Sequence, residues 1–303
     1  MKKSIAIFAI IVSFLTFTAC SKEKNANSSN VEKNSKIQVV VSFSPLENLV
    51  RYIGGDKVEI KTLIPTGSEP HEFEPKLKDM KLLNESKLFI YNGLGIENWV
   101  DKTLGNINKD SLEVVNSSKS IKPIKIAEKG DANHGKYDPH IWLSLKSAIK
   151  QSENIKEGLV KVDSSNKKFY EENFKKFKEK AEKLYGTYRE KLSECKNKNF
   201  VTGHAAFGYL CRDFNLKQSS VEDVFQEGEP TPKKIKGLVD YCKRYNIKTI
   251  FYEENVSPKV SNTLAKEVGG KIKKIDTMEV NKKDKDYFDI MESNLEKIYL
   301  SLK

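Results

Sequence analysis

The sequence predicts an α/β protein of two lobes, each with a parallel sheet flanked by helices, joined by one long rigid helix. Short segments rich in β-branched residues alternate with amphipathic segments over residues 37–118, and the alternation returns after residue 198. Between these regions, residues 163–195 carry apolar side chains at helical spacing, with lysine and glutamate on the other faces. A helix of that length extends ~50 Å, enough to run along both lobes.

In the first lobe, each predicted strand is a short apolar run and each predicted helix has a recognisable boundary. The first helix is closed by Gly54 and Gly55, and the second has Pro75 in its first turn, where a missing backbone N–H is tolerated. The predicted strands are 37–43, 58–65, 87–93 and 112–118, and the predicted helices are 45–55, 75–86 and 96–107.

The long helix has three candidate capping residues at its start, Asp163, Ser164 and Ser165. After it, the same criteria predict strands within 198–204, 217–223, 248–254 and 271–279, and helices within 207–215, 231–246, 257–270 and 287–302. The resulting organisation is a signal peptide at 1–19, a lipidated cysteine and tether at 20–36, a first lobe at 37–162, a connecting helix at 163–197 and a second lobe at 198–303.

The N-terminus has the pattern of an export signal. Lys2 and Lys3 precede an apolar run over residues 5–15, which is too short to span a bilayer core of ~30 Å. The run ends at FTAC, which resembles a bacterial lipobox with Cys20 as the lipidated residue, although Phe17 stands where leucine is usual. Residues 21–36 are polar, with no aromatic residue, and predict a disordered tether.

We therefore expect a protein anchored by lipid to the extracytoplasmic face of the cell membrane, in an envelope of the Gram-positive type. Ordinary secretion with cleavage nearby is the alternative. The formal net charge of +11 could indicate nucleic acid, but the lysines are interleaved with glutamates and the chain is exported, so we expect no nucleic-acid partner. An anionic membrane surface explains the charge more simply.

Three cysteines follow Cys20. Because three is an odd number, they cannot all pair in disulfides within the chain. A bridge between Cys211 and Cys242 or between Cys195 and Cys211 is one interpretation, and buried free thiols are the other. Their spacings match no zinc-ribbon pattern.

Three of the four histidines lie in short motifs that suit a metal ion. His71 lies in GSEPHEFEP, His140 in DPHIWL and His204 in TGHAAFGY. Three imidazoles favour Zn²⁺ over calcium or magnesium. In this fold class ligands bind beyond the carboxyl ends of strands, and His71 and His204 follow predicted strands closely.

A carboxylate would complete a tetrahedral zinc site. Glu279 ends the predicted strand 271–279, while Glu253 and Glu254 lie at the end of strand 248–254 and remain alternatives. A closed shell of four protein ligands leaves no position for a reacting water, so the site predicts binding without catalysis. The sequence also contains no H-E-x-x-H motif.

These residues resemble the zinc-binding lipoproteins that serve as solute-binding receptors of bacterial ABC importers. SEPHEFEP, DPHIWL and TGHAAFGY are similar to the family's histidine motifs, and the segments at 228–232 and 253–269 are similar to its other motifs. The resemblance runs from about residue 36 to the end of the chain. It implies two lobes with the metal between them, and an ABC permease and its ATPase as partners. We also expect a monomer that is not an enzyme.

Carried over by position, the resemblance places the three histidine ligands at His71, His140 and His204. Glu279 falls where members with a fourth protein ligand carry an acidic residue. Related manganese receptors usually have a carboxylate at the third place, so His204 favours zinc. One departure is the short loop before DPH, which holds His134 alone where many members have a histidine-rich loop.

Side chains around the ligands should orient the imidazoles through their second nitrogen. The candidates by sequence are Glu69, Glu72, Asp138 and Glu229, while Trp142 and Phe207 are candidates for packing around the site. Three alternative functions remain at this stage: a manganese receptor of the same class, a zinc hydrolase and an adhesin.

Overall fold

The computed structural model describes residues 36–68, 70, 73–108, 110–126, 135–225, 230–253, 258–280 and 285–303. The predicted signal peptide, Cys20 and most of the predicted tether lie outside these ranges. Among the helices of these ranges, none combines the length and the apolar composition that a bilayer crossing requires.

The first lobe is built on a parallel sheet of four strands in the order β2-β1-β3-β4. Ile37 pairs with Val58 where β1 and β2 begin, and Val39 pairs with Leu88 of β3. The elements are β1 Ile37–Val41, α1 Ser44–Gly54, β2 Val58–Thr62, α2 Leu77–Glu85, β3 Leu88–Tyr91, α3 Val100–Gly105, β4 Glu113–Asn116 and α4 Leu145–Val162.

The second lobe repeats this arrangement with the strand order β6-β5-β7-β8, again all parallel. The helix α5, Lys167–Glu194, precedes it. The elements that follow are β5 Asn199–Thr202, α6 Gly208–Phe214, β6 Lys217–Ser220, α7 Pro232–Arg244, β7 Thr249–Tyr252, α8 Pro258–Glu267, β8 Lys271–Lys274 and α9 Tyr287–Leu302.

Each sheet has a topological switch point between its two central strands. In the second lobe, β5 connects by a helix to β6 on one side, and the chain then crosses to β7 on the other. The loops that leave β5 and β7 therefore diverge and open a crevice at the carboxyl edge, which is where ligands bind in this fold class. This crevice is where the site described below is built.

The helix α5 links the lobes along 28 residues. Its buried residues recur at intervals of seven and four positions, which is one face of a helix: Tyr170, Phe177, Ala181, Tyr188 and Leu192. Phe177 packs between the two lobes, with ring centroids 5.2 Å from Tyr52 of α1 and 4.9 Å from Phe288 of α9. The predicted fold class, two parallel sheets flanked by helices and joined by a long helix, is confirmed.

Several predicted boundaries are wrong at their ends. Pro75 lies before α2 rather than in its first turn, because the chain is still extended at Lys76. The helix predicted at 96–107 is confined to 100–105, and the strand predicted at 271–279 ends at Lys274. At two of these ends the backbone nitrogen bonds a side chain instead of a helix or strand partner: that of Lys76 bonds Asp79, and that of Asp276 bonds Asn294.

The predicted cap of the long helix is also different. Residues 164–166 form a turn of 3₁₀ helix, and α5 begins at Lys167 without a side-chain cap. Asp163 instead accepts hydrogen bonds from Ser165, Asn166 and the Tyr170 hydroxyl, the last at 2.6 Å. These bonds tie the end of α4 to the start of α5.

The three cysteines of the folded region are buried free thiols: Cys195, Cys211 and Cys242. Burial raises the pKa of Cys242 to about 11 and raises the pKa of Cys211 further. Of the two interpretations from sequence, the structure supports buried free thiols over a disulfide bridge.

Candidate metal centre

His140 is held in a loop that leads into α4 through the 3₁₀ turn Ile141–Leu143. Asp138 Oδ1 accepts from the backbone nitrogen of His140 at 2.9 Å and lies 2.8 Å from its ring Nδ1. Asn92, which follows β3, donates to the carbonyl oxygen of Pro139 at 2.9 Å. The imidazole is completely buried, and its Nε2 faces away from Asp138.

His204 lies two residues beyond the end of β5, at the switch point of the second sheet. Its carbonyl oxygen accepts from the Thr202 hydroxyl at 2.6 Å and from the Gln218 amide at 2.8 Å. Its backbone nitrogen lies 3.4 Å from Glu253 Oε1, and Glu253 directly follows β7. The imidazole is completely buried, like that of His140.

Glu279 reaches the same place from a loop rather than from a strand end, which corrects its predicted setting. The loop begins after Lys274 and is fixed to α9 by Asn294, which bonds both the nitrogen and the carbonyl oxygen of Asp276. Met278 has a φ of 65°, in the left-handed region, which turns the chain before Glu279. Thr277 donates its hydroxyl to Glu279 Oε2 at 3.0 Å.

These three side chains converge on one point. One ligand atom from each of His140, His204 and Glu279 lies within 4.8 Å of the other two. His140 Nε2 is 3.6 Å from Glu279 Oε1, and the two imidazole centroids are 5.2 Å apart. His140 belongs to the first lobe and the other two to the second, so the cluster lies where the lobes meet.

The electrostatics of the cluster favour positive charge. Burial alone lowers the pKa of His140, but hydrogen bonds to Asp138 and Glu279 outweigh it and raise the pKa to about 9. Burial likewise lowers the pKa of His204, but its contact with Glu253 and the charges of Glu253 and Glu279 raise it overall. Buried carboxylates that stabilise the extra proton of an imidazole also stabilise a metal cation that replaces this proton.

The donor set fits zinc. At zinc–nitrogen distances of about 2.0–2.1 Å, tetrahedral ligands are about 3.3 Å apart. The separation of His140 Nε2 and Glu279 Oε1 is close to that value. No separation in the cluster exceeds 4.8 Å, so the ligand atoms need to approach one another by at most about 1.5 Å. Two imidazoles and a carboxylate are ordinary zinc ligands.

Several residues singled out by sequence lie outside the described ranges. These are His71, the remaining predicted ligand, together with Glu69, Glu72, His134, Glu229 and Glu254. Pro70, which precedes His71 in the chain, is described and is buried. Of the residues expected to orient the imidazoles, Asp138 contacts His140 directly.

Sequence reasoning missed the contacts that join the lobes around the site. The Trp142 indole donates to the carbonyl oxygen of Thr277 at 2.7 Å, and the Tyr209 hydroxyl donates to the carbonyl oxygen of Asp138 at 2.6 Å. Trp142 also packs against His140, with centroids 5.1 Å apart, whereas Phe207 packs on Phe200. Tyr209 lies within the histidine motif of the second lobe, but its partner 71 residues away could not be inferred from that motif.

A two-lobed α/β protein with a buried cluster of histidine and carboxylate at the lobe interface is a metal-binding protein of the solute-receptor class. The chain belongs to the family described as "ZnuA: Zinc-uptake complex component A periplasmic", whose model matches residues 39–300.

Individual relatives agree with this assignment. The chain is 35% identical to the high-affinity zinc uptake system protein ZnuA of Bacillus subtilis, over 99% of this chain and 98% of that protein. It is 38% identical to a putative metal-binding protein of Treponema pallidum, over 89% of each. The solved laminin-binding protein Lmb of Streptococcus agalactiae, described as bifunctional "with adhesin and metal transporting activity", has a TM-score of 0.81 and 32% identity, over 89% of this chain and all of that one.

Proposed function

We propose that this protein captures Zn²⁺ outside the cytoplasm and delivers it to the permease of an ABC importer. The observation that carries the proposal is the convergence of His140, His204 and Glu279 within 4.8 Å at the lobe interface. Family membership supports zinc as the cargo, because the matching model describes a zinc-uptake component.

We assign the fourth ligand position to His71. Its motif follows β2 in the first lobe, as the motif of His204 follows β5 in the second, and β2 is the strand beside β1 in the sheet. Three imidazoles and Glu279 would then surround the ion. Such a closed shell binds without activating a water molecule, so the proposed protein is a receptor and not an enzyme.

Binding at this site exchanges water for protein ligands. The ion loses its hydration shell and gains imidazole ligands, and a carboxylate at the second nitrogen of an imidazole raises its basicity as a ligand. Asp138 does this for His140 at 2.8 Å. No bond in the cargo is made or broken, and delivery requires only that one or more ligands move away.

Zinc content tests the proposal directly. Protein purified without chelator should contain one zinc per chain by elemental analysis. The His140→Ala and His71→Ala variants should lose most of it, because each removes a ligand. The matched control is His134→Ala, which removes the one histidine without a predicted ligand role and should retain full zinc content. Full zinc in His140→Ala, or none in the native protein, contradicts the proposal.

Manganese is the alternative cargo. A Mn²⁺ receptor prefers more oxygen ligands, whereas this cluster offers two imidazoles to one carboxylate among its described members. Competitive titration of the metal-stripped protein should therefore show Zn²⁺ displacing Mn²⁺. Retention of Mn²⁺ against equimolar Zn²⁺ would assign the protein to manganese.

We further propose that Cys20 carries the lipid that holds a monomeric receptor at the membrane. The support is the FTAC sequence after an apolar run and the polar residues 21–36. Cys20→Ser should move the protein from the membrane fraction to the culture medium, with its zinc content unchanged. Equal membrane association of the two forms would contradict lipidation at Cys20.

Adhesion is a second candidate function, favoured by the likeness to Lmb, which is itself described as an adhesin. Surface plasmon resonance with immobilised laminin tests it. Binding that survives His140→Ala would separate adhesion from zinc capture, and no binding at micromolar protein would remove this candidate.

A further inference from the structure

We propose that Glu253 is the positioning residue for His204: it accepts the ring Nδ1–H and so turns Nε2 toward the ion. The sequence offered Glu253 as an alternative ligand, but its contacts support a different role. This inference rests on the proposed function, because it concerns how one ligand of that same site is held.

The location of Glu253 follows from the sheet. β5 and β7 are neighbours, and Glu253 directly follows β7 while His204 lies two residues after β5. Both residues are buried, with 1% of Glu253 exposed. Glu253 Oε1 is 3.4 Å from the His204 backbone nitrogen and 3.8 Å from its Nδ1.

The same pattern occurs around the other histidine. Asp138 Oδ1 contacts the backbone nitrogen of His140 at 2.9 Å and its Nδ1 at 2.8 Å. In each lobe, therefore, a single carboxylate oxygen approaches both the main chain and Nδ1 of a buried histidine. The distance from the carboxylate oxygen to Nδ1 is 3.8 Å in the second lobe and 2.8 Å in the first, a difference of 1.0 Å.

The burial of Glu253 needs compensation. Its Oε2 has no hydrogen-bond partner among the residues that the structure describes, and neither ring nitrogen of His204 has one there. A buried polar atom without a hydrogen-bond partner is costly in a protein interior. An Nδ1–H donated by His204 gives this carboxylate a second hydrogen bond, beside the one that Oε1 accepts from the His204 backbone nitrogen. It also leaves the Nε2 lone pair to bind the metal, as histidine ligands commonly do.

At 3.8 Å, Glu253 Oε1 is too far from His204 Nδ1 for a hydrogen bond, so we expect this distance to change when zinc binds. In the zinc-loaded protein the separation between Glu253 Oε1 and His204 Nδ1 must fall to hydrogen-bond range. A shift of either side chain by about one ångström is enough.

The test is long-range proton–nitrogen NMR of zinc-loaded protein labelled in histidine. With four histidines in the whole chain, the spectrum is simple to assign. His204 should show a protonated Nδ1 and a metal-bound Nε2. Glu253→Gln keeps an acceptor and should retain this pattern with at most a few-fold weaker zinc binding. Glu253→Leu removes the acceptor and should raise the zinc dissociation constant about 10- to 100-fold.

Glu222→Gln is the matched control. Glu222 is half-buried in the same lobe, and its charge interacts with that of His204 from a distance. If only charge near the ring matters, Glu222→Gln should weaken zinc binding as much as Glu253→Leu does. We expect a much smaller loss in Glu222→Gln. Equal loss in the two variants would mean general electrostatics and would overturn the positioning role.

The outcomes separate this inference from the proposed function. A native protein with one zinc per chain whose His204 binds through Nδ1 overturns the positioning role and leaves the receptor intact. A native protein that binds no zinc overturns both. If Glu253→Leu does not fold, the native spectrum and Glu253→Gln decide the matter, because the nitrogen that binds zinc is read in both.

Discussion

Trp142 and Thr277 are joined by a hydrogen bond of 2.7 Å from the indole Nε1 to the carbonyl oxygen, across the boundary between the lobes. Trp142 lies two residues after His140, and Thr277 lies two residues before Glu279 and donates to its carboxylate. One bond therefore fixes the spacing between a ligand from the first lobe and a ligand from the second.

Trp142→Phe should weaken both the fold and the site. It leaves the Thr277 carbonyl without its donor, which costs about 1–3 kcal/mol in the free energy of unfolding. Zinc should also dissociate faster, because Glu279 is no longer held at a fixed distance from His140. Urea unfolding and stopped-flow chelation measure the two effects.

Trp99→Phe is the control for that variant. Trp99 is 5% exposed, and its indole nitrogen has no hydrogen-bond partner within the described ranges, so the substitution removes similar volume without removing a bond found there. We expect unchanged zinc dissociation. Comparable acceleration in the two variants would show that loosened packing, not the bond to Thr277, is responsible.

Gly208→Ala should lower zinc affinity although its own position is outside the ligand set. A Cβ at Gly208 would lie 2.6 Å from Asp138 Oδ2, so the carboxylate that holds His140 must shift. We expect about a 10-fold or greater rise in the zinc dissociation constant, by calorimetry, as for other residues that orient ligands.

Gly237→Ala provides the comparison, in the next helix along the chain. Gly237 is exposed in the middle of α7, and a Cβ added there would have no described atom within 4 Å. The substitution should leave zinc binding unchanged and stabilise the protein by up to about 1 kcal/mol through helix propensity. Identical zinc affinity in native protein and Gly208→Ala would show that displacing the Asp138 carboxylate does not weaken zinc binding.

Zinc binding at a pH near 7.5 should release about one proton from His140, since its pKa of about 9 keeps the metal-free imidazole protonated and a ligand must be neutral. Affinity should therefore fall as the pH is lowered. Calorimetry in three buffers of different ionisation enthalpy measures the number of protons. Asp138→Asn removes a carboxylate that raises this pKa and should release fewer, whereas a binding enthalpy independent of buffer would show that His140 is already neutral.

The metal-free protein should lose stability between about pH 6.5 and pH 9. His140 has a pKa raised above the ordinary value near 6.5, so its contribution is fully present below that value and disappears as the pH passes about 9. The shift corresponds to about 3 kcal/mol. Urea unfolding of native protein and His140→Gln at both pH values measures it, and parallel pH dependence in the two would refute it.

The order of strands and helices could be predicted from the sequence because the apolar patterns typical of strands and of helices are both clear in the regular parts of the chain. The same patterns placed Glu279 on a strand because residues 271–279 look continuous, yet β8 ends at Lys274. The interruption depends on Asn294 of α9, which bonds Asp276 from 18 residues away. A pattern within one segment cannot reveal a partner in another.

The histidines were easier to predict than their surroundings. His140 and His204 could be selected by type and motif, and the structure brings them together with Glu279. Their neighbours required the topology: Glu253 reaches His204 only because β7 lies beside β5. Asp138 could be proposed from sequence because it lies two residues from His140.

The aromatic packing around Phe177 limits how the receptor can exchange its cargo. This side chain of α5 contacts Tyr52 from one lobe and Phe288 from the other, and those two rings are 5.6 Å apart themselves. A hinge motion that swung the halves apart would have to break this three-ring junction. Loading and discharge are therefore expected to depend on bending of the short loops that carry His140, His204 and Glu279, on the energy scale of a few hydrogen bonds.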